Sequence, residues 1–184
     1  MLKEFKPVLL FLVKFALSGG VLIFLYNVFL NQYHQFDQPD PYSIFVADSV
    51  VSVQQFLGFQ SLNKIDPSNP WIWVMLNHKW ASYINEGCNA ISIMIMFVAF
   101  IIAFSKGFIK TTLFIVGGLF VIQLMNIARI VLLNWIFVYH DEYGKAAHDY
   151  LFPAIIYGTI VVLWIVWVKF FALKIENTKD GEVA

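Results

Sequence analysis

The sequence predicts an all-α integral membrane protein: a bundle of about four transmembrane helices, with one short helix or more in a long outer segment. Two observations predict it. Hydrophobic residues make up 60% of the 184 positions and charged residues only 13%, about half the charged share of a soluble domain. Apolar runs also recur along the chain, approaching or exceeding the roughly 20 residues that cross a bilayer. The formal net charge of +0 provides no basic surface for nucleic acid. The single cysteine excludes an internal disulfide and any Cys-x-x-Cys redox or zinc motif. No metal or cofactor signature stands out, and the chain reads as one membrane-embedded domain over residues 1–184.

The first span runs from about Pro7 to Leu30. Lys3 and Lys6 precede it as in a signal peptide, but the run is longer than a signal h-region and no small-x-small cleavage site follows it. Lys14 can snorkel to the near interface, and Gly19-Gly20 allows close helix approach. Residues 31–86 are long and mostly polar. Asp37-Gln38-Pro39-Asp40-Pro41 and Asp66-Pro67-Ser68-Asn69-Pro70 read as turn clusters. Between them a short helix is expected, capped by Ser43 and ended by Gly58. Trp71 to Leu76 is apolar but too short to span, and suits the interface where tryptophan concentrates.

The second span runs from about Cys88 to Phe104, followed by the tight connection Ser105-Lys106-Gly107. The third stretch, from Phe108 to about Tyr139, is longer than a bilayer requires, so its far end is expected to project beyond the hydrocarbon. A short polar loop from His140 to Tyr150 is expected, then a fourth span from Leu151 to about Leu173 and a polar tail. With four spans both termini share a side. That side carries Lys3, Lys6, Lys106, Lys110, Lys169, Lys174 and Lys179, against Lys64, Lys79 and Lys145 on the other. The positive-inside rule therefore puts the termini in the cytoplasm and the long segment outside.

This topology sets three reactive side chains at one depth. Cys88 opens the second span at the outer face, and His148 precedes the fourth. Arg129 lies 19 residues after Lys110, a helical rise of roughly 30 Å, close to the hydrocarbon thickness. A cysteine attacks as its thiolate and is helped by a base and by a helix N-terminus. On chemistry alone the base is His148 or any of His34, His78 and His140. Arg129 suits an oxyanion or a substrate carboxylate. Gln123, Asn126 and Arg129 recur every three residues and form a polar stripe, in which Asn126 can orient the guanidinium or donate a hydrogen bond itself. The bland readings are a packed thiol, an interfacial histidine, a snorkelling arginine and a hydrogen-bonded helix contact.

Three short motifs carry a resemblance: Glu86-Gly87-Cys88-Asn89-Ala90, then Asn126-Ile127-Ala128-Arg129, then Ala147-His148-Asp149-Tyr150. In that order, in a membrane protein, they resemble the exosortase/archaeosortase family of membrane cysteine peptidases, most closely its short F-type branch. The resemblance covers a catalytic core of about residues 85–167. It implies Cys88 as nucleophile, Arg129 as stabiliser of the intermediate and His148 as acid/base. Asn126, Glu86 and Asp149 are candidate supporting residues beside them, although a Glu86 charge close to the thiol works against the thiolate. The resemblance implies an endopeptidase or transpeptidase at the outer face of the cytoplasmic membrane, acting on C-terminal sorting signals of exported proteins, with no cofactor. Many members have about eight spans, where this chain has room for about four, and Asn89 follows the cysteine where serine is common. The rival expectation is a non-catalytic membrane assembly or partner-binding subunit, with Arg129 pairing to a partner or an anionic lipid.

Overall fold

The computed structural model describes residues 2–105 and 107–172. Lys106, Leu173 and the polar tail lie outside the described residues. Among the described residues, three helices are long and apolar enough to cross a membrane: Phe5–His34, Phe108–Tyr139 and Asp141–Phe171. The fold also contains a small sheet, so the all-α expectation is corrected to mostly helical with a β-hairpin subdomain. The helices are α1 (Leu2–His34), α2 (Pro41–Phe56), α3 (Ile91–Ala103), α4 (Phe108–Tyr139), α5 (Asp141–Ala146) and α6 (Phe152–Trp167). At 13 residues α3 rises only about 20 Å, short of a hydrocarbon core of about 30 Å.

By contact density the chain divides into two compact units. One holds the described parts of Met1–Tyr26, Ser92–Ile122 and Gly158–Ala184, and the other holds Asn27–Ile91 and Gln123–Tyr157. The first unit is joined by small residues and aromatic rings. A Cβ on Gly19 would sit 3.6 Å from the Ala99 Cβ, so α1 and α3 approach closely there, as small residues permit. Gly118 lies against the ring of the fully buried Phe97. Phe100 stacks on Trp164 with ring centroids 4.3 Å apart, and Phe114 packs on Trp167.

The second unit contains the sheet. Asp40 caps α2: its Oδ1 accepts from the Tyr42 and Ser43 amides, both at 3.0 Å, and Pro41 follows at the first helical position, where its missing N–H costs nothing. The cap is therefore Asp40 rather than Ser43, whose hydroxyl instead donates to Asp40 Oδ2. Gly58, in the left-handed region at φ 88°, ends the helix, its amide donating to the Gln55 carbonyl.

Strands β1 (Ser61–Ile65), β2 (Ile72–Leu76) and β3 (Lys79–Ile84) form an antiparallel sheet in the order β1-β2-β3. The run expected to be interfacial is thus the central strand. Its residues alternate in burial: Ile72, Val74 and Leu76 are buried, the period-2 pattern of a sheet with one covered face. Ile72 and Val74 pack with Val46, Ala47 and Val50 of α2, with Ile84 of β3 and with Ile130 of α4. Asn77 and His78, both at positive φ, make the two-residue turn between β2 and β3. Two left-handed residues match the strand twist of such a hairpin. The Asn77 amide group donates to Tyr139 Oη at 2.6 Å, tying the turn to the end of α4.

The expected loop from His140 to Tyr150 is helical. It comprises α5 and a π-turn over Ala147–Leu151 that runs into α6. A proline stands just after the π-turn. Pro153 has no N–H to donate to the carbonyl four residues back, and its ring crowds that carbonyl. The backbone widens, and the Phe152 amide donates to Ala147, five residues back.

Candidate active site

All the site residues belong to the second unit, so their arrangement is set within one compact body. Cys88 lies in the turn that leaves β3. Its amide donates to the Asn85 carbonyl at 2.9 Å, and Asn85 Oδ1 accepts from the Gly87 amide at 3.0 Å. The helix begins only at Ile91, so the expectation that Cys88 opens it is corrected by three residues. Ala90 causes the offset: it sits in the left-handed region at φ 67°, and Asn89 Oδ1 accepts from the Ile91 amide across it. The Asn89 amide group also donates to Ser43 Oγ at 3.1 Å, which ties the turn to the start of α2.

Cys88, Arg129 and His148 line one cleft of about 460 Å³. The edge of β3 from Ala81 to Ile84 forms one wall. Ile130, Leu133 and Phe137 of α4 form another. Cys88 is a free, half-buried thiol. Arg129 is half-buried, and among the described residues its Nε is enclosed without a hydrogen-bond partner, leaving a donor unused inside the cleft wall. His148 stands on the π-turn with its side chain 56% exposed, and its Nδ1 is 2.9 Å from Asp149 Oδ1. With Asp149 Oδ1 accepting a hydrogen bond from Nδ1–H, Nε2 is the ring nitrogen left for proton transfer.

The supporting residues separate. Asn126 is almost fully buried and donates through Nδ2 to the Cys88 carbonyl at 2.9 Å. It holds the cysteine backbone rather than the guanidinium. Gln123, the first residue of the expected stripe, instead accepts from Tyr42 Oη at 2.8 Å. Glu86 turns away. Asn85 and Gly87 on either side of it line the cleft and Glu86 does not, while its Oε1 sits 3.5 Å from His34 Nε2. The acid nearest the thiol in sequence is thereby directed to the end of α1. His34 is engaged there, and neither His78 nor His140 lines the cleft.

Other residues at the site lacked a clear sequence signal. Ser82 donates to the fully buried Asn134 Oδ1 at 2.6 Å, pinning β3 to α4 beside the cleft. Asn134 extends the α4 face that carries Asn126, two turns farther on, and that spacing was the available clue. Trp73 also lines the cleft and belongs to an aromatic cluster. Tyr83 stacks on Trp71 at 4.8 Å and meets Trp73 edge-on at 5.5 Å. Trp73 Nε1 donates to Asp66 Oδ2 at 2.8 Å, a bond that holds the Asp66 carboxyl below its usual range. Burial, then the nearby Asp40 charge, pushes the Tyr42 hydroxyl up. Among the described residues, no three His, Cys, Asp or Glu side chains are grouped to hold a metal ion.

No protein-family model, curated protein or solved structure matches the chain.

Proposed function

We propose that the protein is a membrane cysteine endopeptidase or transpeptidase of the exosortase/archaeosortase kind. Its substrate on this reading is an exported polypeptide bearing a C-terminal sorting signal. The observation that carries the reading is that a thiol, a guanidinium and an imidazole from three separate elements border one cleft. Three such groups have complementary uses in acyl transfer and no common structural purpose.

In the proposed reaction His148 Nε2 takes the thiol proton and Cys88 Sγ attacks the scissile carbonyl carbon. The carbonyl π electrons move to oxygen, and Arg129 stabilises the oxyanion that forms. Collapse breaks the carbon–nitrogen bond, and His148 returns the proton to the leaving amine. Water or an acceptor nucleophile then attacks the thioester and regenerates the thiol. Asp149 orients the imidazole from its Nδ1 side, and Asn126 fixes the cysteine turn.

The proposed setting is the cytoplasmic membrane, with α3 as a short fourth span, both termini cytoplasmic and the cleft facing outward. The lysine asymmetry supports this orientation. Replacing Cys88→Ala should abolish removal of the sorting segment from exported proteins while the chain still inserts. Unchanged processing refutes the reading. The rival, a non-catalytic assembly subunit, predicts instead that Cys88→Ser is tolerated while Arg129→Ala loses a partner in pull-down. An impermeant thiol reagent should label Cys88 in intact cells, and labelling only in inverted vesicles refutes the orientation.

A further inference from the structure

We infer that the polypeptide substrate binds in extended form as a fourth strand, added to the free edge of β3 and directed by that edge to Cys88. This inference rests on the proposed peptidase reading and concerns how the same cleft holds its substrate. Among the described residues β3 is an edge strand paired only with β2; the register shifts between Val74 and Met75, leaving Ala81 without a partner, so the regular edge is Ser82–Ile84. Among the described residues its outward backbone groups carry no hydrogen bond to another segment. An uncovered edge is a template for pairing with a further chain, and proteins use it to bind extended peptides.

The edge is not on open surface, because it forms a wall of the cleft. Ser82 and Ile84 lie opposite Val74 and Ile72 on the covered face, while Tyr83 lies opposite Trp73 on the other face. Residues of both faces line the cleft, with Trp73 of the central strand among them, so the cleft meets the strand's edge and continues over the Trp73 and Tyr83 face. That wall is continuous with the candidate nucleophile: Ile84 is followed directly by the turn that ends at Cys88. A strand laid along it would advance by about 3.3 Å per residue toward the thiol. Its side chains would alternate between the Trp73 and Tyr83 face and the apolar wall of α4. Backbone pairing supplies affinity that is indifferent to sequence, and the alternating side chains supply selectivity.

The register of such a strand is measurable. A benzoyl-phenylalanine photo-crosslinker is placed singly at Tyr83 and at Ala81 in the full-length Cys88→Ala protein, in its own cells, and crosslinked peptides are mapped by mass spectrometry. Strand addition predicts that both positions capture the same C-terminal segment of an exported protein, each at a fixed residue, with the Tyr83 crosslink nearer the cleavage site than the Ala81 crosslink. Capture without that order overturns the inference, as does capture of lipid, of a second copy of this chain, or of nothing. Cys88-dependent processing, scored separately, distinguishes the two failures. If processing occurs without that crosslink order, only the strand model fails. If processing is independent of Cys88, the peptidase reading fails with it.

Discussion

Asn126 on α4 donates a hydrogen bond from Nδ2 to the main-chain carbonyl of Cys88, at 2.9 Å. The bond crosses between two elements far apart in sequence and fixes the backbone that carries the thiol. Removing the donor with Asn126→Ala leaves that part-buried carbonyl without its partner, at a cost of about 1 kcal/mol. The thermal midpoint of the detergent-solubilised protein should fall. The rate of Cys88 alkylation should change as the turn loosens. Asn126→Asp should be no better, because an ionised carboxylate has no proton to donate.

Arg129→Lys keeps the charge and removes the planar fork. In the proposed mechanism the oxyanion needs donors at fixed positions, and a lysine ammonium on a flexible stem does not supply them. Processing should fall by about 10²- to 10³-fold, the range for losing one oxyanion donor, with membrane insertion retained. Near-normal processing by Arg129→Lys would show that the site needs only a positive charge.

The long helices were legible because an apolar run of 20 residues or more has few other fates. The hairpin was not. Trp71 to Leu76 is short and aromatic-rich, and suits a membrane interface as well as a central strand. Its turn, Asn77-His78, lacks the glycine that usually announces a two-residue hairpin, because His78 itself takes the left-handed conformation. Helix α5 was hidden by polar residues around Gly144, which reads as a loop until its packing is known. The gap between Cys88 and its helix was invisible because alanine, unlike glycine, gives no sign of positive φ at position 90. Among the candidate residues, Cys88 and Arg129 stood out because each is the single residue of its type in the sequence, whereas His148 was singled out among four histidines only by the family resemblance. Ser82 and Asn134 are ordinary polar residues until the fold pairs them. The direction Glu86 takes depended on where α1 ends.

The Asp66 carboxyl is held below its usual range chiefly by the hydrogen bond from Trp73 Nε1, with the Ser68 amide next. A depressed carboxyl stabilises the folded form at pH values above its unfolded pKa. That contribution is lost as pH falls through the lower, folded value. Acid should therefore loosen the β1–β2 connection and move tryptophan emission from the Trp71–Trp73–Tyr83 cluster. Asp66→Asn should flatten that acid response, and an unchanged emission profile in the variant would remove Asp66 as its cause.

Gly144 controls how closely α5 approaches α4. A Cβ at that position would overlap Cδ1 and Cε1 of Phe137, and Phe137 lines the cleft. Gly144→Ala must turn the phenyl ring or shift α5, and a shifted α5 moves the π-turn that carries His148. Overpacking of this kind costs about 1–3 kcal/mol, so the thermal midpoint should drop. Processing should fall further than the stability loss explains, because both responses disturb the cleft. The double variant Gly144→Ala/Phe137→Ala separates the contact from other effects. If the clash is the cause, it should be more stable than the two single losses sum to, a positive coupling between touching residues. Simple additivity would show that Gly144 is needed for its backbone and not for the space it leaves to Phe137.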